Sequence, residues 1–471
     1  MKKDALRAGA GKLQRFQGRF GSCFGRVEAR QHATKYVEGL LAAEGRKNVE
    51  RMVAQESAGS GTVEQADVLS RQHFLTASPW ESADVQREIQ AVFAESLVPT
   101  TKDWSLGTVL VIDESSFIKQ GEHSVGVKQQ YCGRLGTVAN CQVGVFLVGV
   151  TPGGDCLLDH QLYLPAEWAR DRARRRKTRV PSEVQFRTKP QLAVDLVERL
   201  LHNQLVKPDW IVADEGYGDC GHLLDALEAH GLRYVVESAI TKAFWTANPL
   251  TQIRLRQSGR GRPPSRAKRD SVRSAKEIAA VLPASAWRPL KLREGAKGPV
   301  VYEYARVRIW AKRHKEAGPP IWLMFQREID RPQIVRCWVS NAEEAVSLET
   351  LAEVASQRVR VEQFFEEAKG EVGMADYEAR AWTSWHHHMS LVALAHLFIT
   401  TLRLELRPEE PQLTLRQSFE LLQAALARPR LSLDEAMQLL EYHIHRNQVA
   451  TQSHRKSWLQ KHQRLRDELM L

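Results

Sequence analysis

The chain has 471 residues and a mass of 53.4 kDa, room for roughly two to four domains, and its 43% hydrophobic and 26% charged residues exclude a disordered chain. A formal net charge of +11 and a sequence pI of about 9.4 favour a polyanionic partner, nucleic acid first, through phosphate neutralisation and counterion release. The six cysteines (Cys23, Cys132, Cys141, Cys156, Cys220 and Cys337) contain no C-x-x-C pair, so neither a zinc site nor a disulfide framework is expected, and a reducing cytoplasm fits.

The opening Met1-Lys2-Lys3-Asp4 is charged with no apolar core behind it, so no signal peptide is predicted. Residues 1–100 read as a basic helical region for DNA binding or dimerisation, with a stripe at Tyr36, Leu40 and Leu41 continued by Val49 and Val53. The Gly- and Ser-rich stretch 57–62 breaks it. Ser78-Pro79-Trp80-Glu81 then reads as a capping box opening a helix.

Residues 101–240 read as a sheet with helices. Val109-Leu110-Val111-Ile112 runs straight into Asp113. Four branched apolar residues suit a strand covered on both faces, and an acid at its carboxyl end lies where open α/β sheets bind ligands. Val143–Val150 and Cys156–Leu164 follow around the turn Thr151-Pro152-Gly153-Gly154, which predicts an antiparallel meander. The basic run Arg170–Arg179 is a solvated loop or a phosphate contact. A helix from Lys189 to Val206 is capped by Thr188 and buries Leu192, Leu196 and Leu200. Trp210-Ile211-Val212-Ala213 repeats the first strand's grammar and ends on Asp214. Asp219 is placed to cap a helix closed by Gly231, and Tyr234-Val235-Val236 forms the next strand. Three strands, helix, strand, helix, strand is the order of a ribonuclease-H-like core, so the fold class is α/β.

Residues 241–345 interrupt that order as an inserted β-rich subdomain, with strands at Val300–Lys312, Ile321–Arg327 and Val335–Ser340. Its basic loop, 254–276, holds Gly259-Arg260-Gly261-Arg262-Pro263, which resembles an AT-hook whose Arg260 and Arg262 suit a narrow minor groove. The core is completed over 346–395 by a helical run from Leu348 through Lys369. There Arg358, Glu362 and Lys369 share one stripe beside the apolar Val361, Phe365, Ala368 and Val372. On its own this stripe reads as a surface helix with ion pairs. Two acids at strand ends, an insertion and then this helix make Glu362 the candidate third carboxylate beside Asp113 and Asp214.

The region from 396 to 471 is helical, with capping boxes at Thr414–Gln417 and Ser432–Glu435 and a basic end at Arg455, Lys456, Lys461, Arg464 and Arg466. The most apolar segment, Met389–Leu402, contains His396, Thr400 and Thr401 and falls short of the ~20 residues a membrane span needs, so no membrane partner is expected.

These motifs together resemble the DDE transposases of bacterial insertion sequences, in the branch with a β-strand insertion before the last acid and a Tyr-Arg-Glu-Lys signature. The resemblance is carried by Val111–Phe117, His123–Tyr131, Asn140–Val145, Ala213–Gly218 and Glu362–Glu371. Arg358, Glu362 and Lys369 match the signature, whereas its Tyr falls at Ala355. The resemblance implies a catalytic and metal-binding triad of Asp113, Asp214 and Glu362. It would hold two Mg²⁺ ions, for which Mn²⁺ substitutes, with Asp113 bridging both. It further implies cleavage at transposon ends and transfer of the freed 3′-hydroxyl into target DNA, with a hairpin intermediate common in this branch. The partners would be double-stranded terminal inverted repeats, target DNA and a second copy in a synaptic homodimer, in a bacterial cytoplasm at the nucleoid. Arg358, Lys369, Lys128, Arg260 and Arg262 are the candidate DNA contacts. A transposase-derived DNA-binding protein and a plain ribonuclease-H-like nuclease are the alternative functions.

Other motifs have blander readings. Glu114 and Glu215 follow the two aspartates and, on extended strands, point to the opposite face. His123, Lys128 and Gln130 line a DNA channel or belong to a hairpin packed on itself. His386-His387-His388 are adjacent on a helix and do not converge on one ion, so they read as core or phosphate contacts. Trp310, Trp322 and Trp338 fit sheet packing, with stacking on a flipped base as the sharper alternative.

Overall fold

The Val109–Ile112 run does form a strand, but the strand does not stop at the acid. The computed structural model describes residues 9–43, 45–56, 65–102, 104–248, 271–295, 298–313, 316–333, 335–408, 410–426, 444, 448–449 and 451–462. Arg260, Arg262, the 57–62 break, the Ser432 capping box, Arg464 and Arg466 lie outside the described residues.

Besides helices of six residues or fewer, the elements in chain order begin with α1 (Gly9–Arg19), α2 (Val27–Ala42), α3 (Val49–Glu56), α4 (Gln65–Thr76) and α5 (Ser82–Ser96). Strands β1 (Val109–Ile118), β2 (Lys128–Cys132), β3 (Thr137–Thr151) and β4 (Gly154–Leu162) come next, then α6 (Lys189–Asn203), β5 (Trp210–Ala213), α7 (Gly221–Ala229) and β6 (Tyr234–Ser238). After them run β7 (Ala243–Trp245), β8 (Val272–Ser274), β9 (Arg288–Gly295), β10 (Gly298–Arg313), β11 (Glu316–Arg327) and β12 (Val335–Ser340). The chain continues with α8 (Leu348–Ser356), α9 (Arg358–Gly370), α10 (Trp382–Leu406) and α11 (Leu415–Leu426). It divides into two compact units, Met1–Lys207 with Val359–His445, and Pro208–Arg358 with Arg446–Leu471. The fold is mixed α/β, with sheets packed against helices.

In the first unit β3 is the central strand. β1 pairs antiparallel along Cys141–Val150, and β4 returns along Gly144–Thr151 as the expected meander. β2 pairs with Thr137–Cys141, which places Lys128 and Gln130 in a hairpin, one of the two readings offered for them. Val109 to Ile112 are fully buried, which explains their apolar run. β1 continues to Ile118 because Ser115 and Phe117 carry on its period-2 alternation into the core. Asp113 is therefore a mid-strand residue opposite Phe146, not a strand-end one.

Helix α10 also outgrows its expectation. It runs for 25 residues and, among the described residues, is long and apolar enough by length and composition to cross a membrane, yet 78% of its most apolar window is buried inside the protein. The histidine run belongs to this core. His387 places Nδ1 2.9 Å from Leu75 O and Nε2 2.8 Å from Trp80 O, and His388 Nδ1 lies 2.8 Å from Tyr36 Oη. Burial pushes the imidazole of His387 down to about 4 and that of His388 to about 3. The same packing overrides the capping box expected at Ser78. Trp80 is buried, its ring stacked 3.6 Å from His387, and α5 starts only at Ser82 without a side-chain cap.

Two local signals form as expected. Thr188 and Gln191 make a reciprocal capping box on α6, and Thr414 and Gln417 make another on α11. Thr188→Ala is expected to cost about 1 kcal/mol, read as a lower urea midpoint with an unchanged m-value.

In the second unit β5 lies parallel to β6, and β12, β11 and β10 follow antiparallel, with β9 and β7 both pairing with β10 and β8 with β7. Asp219 does not cap α7; Cys220 stands at that position. The Asp219 carboxylate instead accepts from Ser238 Oγ at 2.8 Å and pairs with Lys242 at 3.1 Å, tying the helix entry to β6. Trp338 is buried in the sheet, and Trp322 lies under the guanidinium of Arg306 at 4.1 Å, so both serve packing. Arg455 and Lys461 are ion-paired to Glu294 at 3.5 Å and Asp330 at 3.2 Å.

Candidate active site

Directly opposed residues of an antiparallel pair share a face. Asp113 therefore projects on the same side of the sheet as Phe146, and that side is covered by α9 and α10. The Phe146 ring is 5.3 Å from Phe365 of α9 and 6.1 Å from Trp385 of α10. Phe117, two alternations beyond Asp113, meets Phe146, Tyr377 and Trp385. Helix α9 buries Val361, Phe364, Phe365 and Ala368, which leaves Glu362 exposed one turn before Phe365. Asp113 and the helix bearing Glu362 thus occupy one face of the first unit's sheet. Asp113 is 8% exposed, and its Oδ1 accepts the Glu114 N–H at 2.7 Å.

Lys369 ends the same helix. Its ammonium points to Ser116 O at 3.5 Å and lies 5.5 Å from the Phe117 ring and 5.8 Å from Phe365. Burial pushes its pKa down to about 8, and the Arg134 guanidinium adds to the shift. Because the folded value is below the unfolded one, the folded state binds fewer protons between pH 8 and 10.5. That penalty is full below pH 8 and fades as pH rises through this window. We expect the Lys369 signal of ¹³C-dimethylated protein to titrate with a midpoint of about 8 and to vanish in Lys369→Met.

The opposite face of β1 carries Glu114, which pairs with Lys189 of α6 at 2.6 Å, as strand alternation requires. Lys128 on β2 is paired with Glu167 at 2.8 Å, so a DNA contact there would compete with that carboxylate.

Asp214 belongs to the second unit, directly after β5. It is the N-cap of a single turn, Glu215–Gly218, with Oδ1 accepting the Tyr217 N–H at 3.3 Å. Glu215 is thus a helical residue, and the alternation argument applied to it does not hold. A Cβ on Gly218 would come within 1.9 Å of Glu237 O, so the turn presses on β6 through a position only glycine fills. Glu237 is a residue that sequence reasoning missed. Its carboxyl is pushed up by burial, drawn back by Arg358 and Arg336, and raised by Asp214 and Glu215. Arg358 Nε lies 3.9 Å from Glu237 Oε2. The only signal in the sequence was an acid two positions after the Tyr234 strand's last apolar pair began, at Val235.

Asp113, Glu362 and Lys369 therefore fall in one unit, and Asp214 and Arg358 in the other. Among the described residues no group of three His, Cys, Asp or Glu is arranged to hold a metal ion.

The sequence model of a family described as DDE superfamily endonuclease matches residues 19–299, a span that includes Asp113 and Asp214 and stops short of Glu362. The chain is also similar to a protein described as a probable transposase for insertion sequence element IS701, from Microchaete diplosiphon, at 31% identity over 165 residues. That match covers 35% of this chain and 39% of the relative, so it spans less than half of the relative's length. With the family's match extending over more than half of its residues, the chain belongs to the DDE superfamily endonucleases.

Proposed function

We propose that the chain is a DNA transposase that cleaves at the ends of an insertion sequence and joins the freed ends to target DNA. The observation that carries this reading is the nearly buried Asp113 carboxylate on the sheet face covered by the Glu362 helix, in a member of a DDE endonuclease family. The strand and helix order is compatible with a ribonuclease-H-like core carrying a β-rich insertion.

Asp113, Asp214 and Glu362 offer only carboxylate oxygens, a donor set that fits hard divalent cations such as Mg²⁺, with Mn²⁺ as a substitute. These three would hold two such ions, and the chemistry supplied when they are bound is neutralisation of charge on the attacking and leaving oxygens. Arg358 and Lys369 would hold DNA phosphates beside the acids, with Lys369 doing so as a cation below pH 8. In the first reaction a water oxygen bonds to phosphorus as the P–O3′ bond breaks, which leaves a 3′-hydroxyl on the element. In the second that hydroxyl attacks a target phosphodiester and releases the target's own 3′-hydroxyl. A homodimer would hold both ends together, acting at the nucleoid of a bacterial cytoplasm.

The test is incubation of the chain with labelled terminal-repeat duplex, target DNA and Mg²⁺, with Asp214→Ala as control. Wild type should give nicked and then joined products, and the variant should bind without cutting. Binding without nicking in both Mg²⁺ and Mn²⁺ would sink the enzyme reading. Nicks that never become joined products would instead identify a plain nuclease.

A further inference from the structure

Where β3 turns into β4, three arginines of the first unit converge on one buried carboxylate. Asp155, 8% exposed, directly follows the Pro152–Gly154 turn. Arg360 of α9 sets Nη2 2.7 Å from Asp155 Oδ1, close enough for an ion pair yet not aligned as a hydrogen bond, and donates weakly from Nε to Oδ2 at 3.4 Å. Arg407, just past α10, donates from Nη1 to Pro152 O at 2.6 Å and keeps a buried Nε without a hydrogen-bond partner. Arg403, one turn earlier on α10, also has a buried Nε without a partner. A Cβ on Gly154 would come within 2.3 Å of Thr400 Cγ2 and 3.0 Å of Arg403 Nη2, so the glycine lets the turn close onto this stretch of α10 and its guanidinium. Glu367 completes the electrostatic surroundings of Arg403 and lies 3.5 Å from His396 Nε2.

Among the described residues, three guanidiniums thus face two carboxylates, with one positive charge in excess where much of the water has been stripped away. Buried donors are normally satisfied, and a cation held against like charges at a site short of acceptors is costly unless an anion completes it. Asp155 needs one arginine for its own neutralisation, not three. Burial works against the charged forms of Arg403 and Arg407, and repulsion adds to it, from Arg407 on Arg403 and from Arg360 on Arg407.

We propose that Arg360, Arg403 and Arg407 form a phosphate-binding site, distinct from the three acidic positions, that takes a phosphodiester of bound DNA. Guanidinium forks match phosphate oxygens bidentately, which a carboxylate satisfies with fewer acceptors. Arg360 also sits two residues before Glu362 on α9, so a phosphate gripped there would fix the helix that carries the third acid. The DNA source rests on the function proposed above; the phosphate chemistry does not.

The experiment uses the full chain with Arg403→Gln and Arg407→Gln, the second guarding against a folding defect in the first. Inorganic phosphate replacing chloride at constant ionic strength should raise the wild-type Tm by about 3 °C and do so in neither variant. Duplex binding should weaken about tenfold in each variant at ~0.1 M salt, with the slope of log K against log salt smaller by about one. If phosphate protects wild type alone while DNA affinity is equal in all three proteins, the site takes free phosphate and the DNA assignment falls. If the variants lower Tm by the same amount at every phosphate concentration, or phosphate never protects wild type, the cluster is structural and the proposal is overturned. The earlier reading fails separately, by absence of nicking in wild type with DNA affinity intact.

Discussion

Asp113→Asn is expected to slow nicking of terminal-repeat DNA by roughly 10³-fold or more, the scale on which loss of a group stabilising developing charge is felt, while Tm stays near wild type. The substitution keeps the shape of the side chain, and its amide oxygen can still accept the Glu114 N–H, so strand β1 has no reason to move. What is lost is the negative charge on the face shared with Phe146 and the Glu362 helix. Glu114→Gln is the matched control, since it removes a charge one residue away on the other face, where Lys189 is its partner. It should leave the rate within a few fold. A variant at Asp113 that nicks at the wild-type rate would remove that residue from the reaction.

The largest effect on stability is expected at Trp385. It is fully buried and packs against Phe117, Phe146, His160 and His386, which places it beneath the face that Asp113 shares. Trp385→Ala leaves a cavity in close-packed surroundings and should cost about 3–5 kcal/mol, a Tm roughly 5–8 °C lower by calorimetry if the first unit melts cooperatively. Gly144 cannot be enlarged to fill the space without meeting Phe146 at 2.6 Å. Trp385→Phe retains part of the packing and should cost less. An alanine variant as stable as wild type would show that the β3–α10 contact is not what holds this face together.

Much of the fold was legible because its signals are local. Thr188 with Gln191, the Thr151–Gly154 turn and Gly231 after α7 each depend on a few neighbouring residues, and each forms as read. Asp113 was singled out from an apolar run, but the length of its strand was not legible, because Ser115 and Ser116 break the run without breaking the alternation. Trp80 and Asp219 defeated their capping readings for one reason. Each has partners remote in sequence, His387 for the ring and Ser238 with Lys242 for the carboxylate, and those interactions outweigh a cap worth about 1 kcal/mol. Glu237 and the Arg403 cluster were invisible since no motif joins residues brought together from separate segments. For Asp113, Asp214 and Glu362, the grouping came from the sequence, and the folded chain adds that the helix bearing Glu362 covers the sheet face onto which Asp113 projects.

Helix α10 has a consequence for how the chain is made. It fills the space between α2, α4, α5 and β4 in the first unit, yet the ribosome delivers it only after the whole intervening second-unit segment. At ~5–20 residues per second, its partners wait on the order of ten seconds with their apolar faces uncovered. Their companion is then a helix apolar enough to pass for a membrane span until Tyr36, Trp80 and β4 enclose it. Nascent chains stalled before Trp382 should therefore be the aggregation-prone species in a cell, and holdase chaperones should bind them in preference to the finished protein.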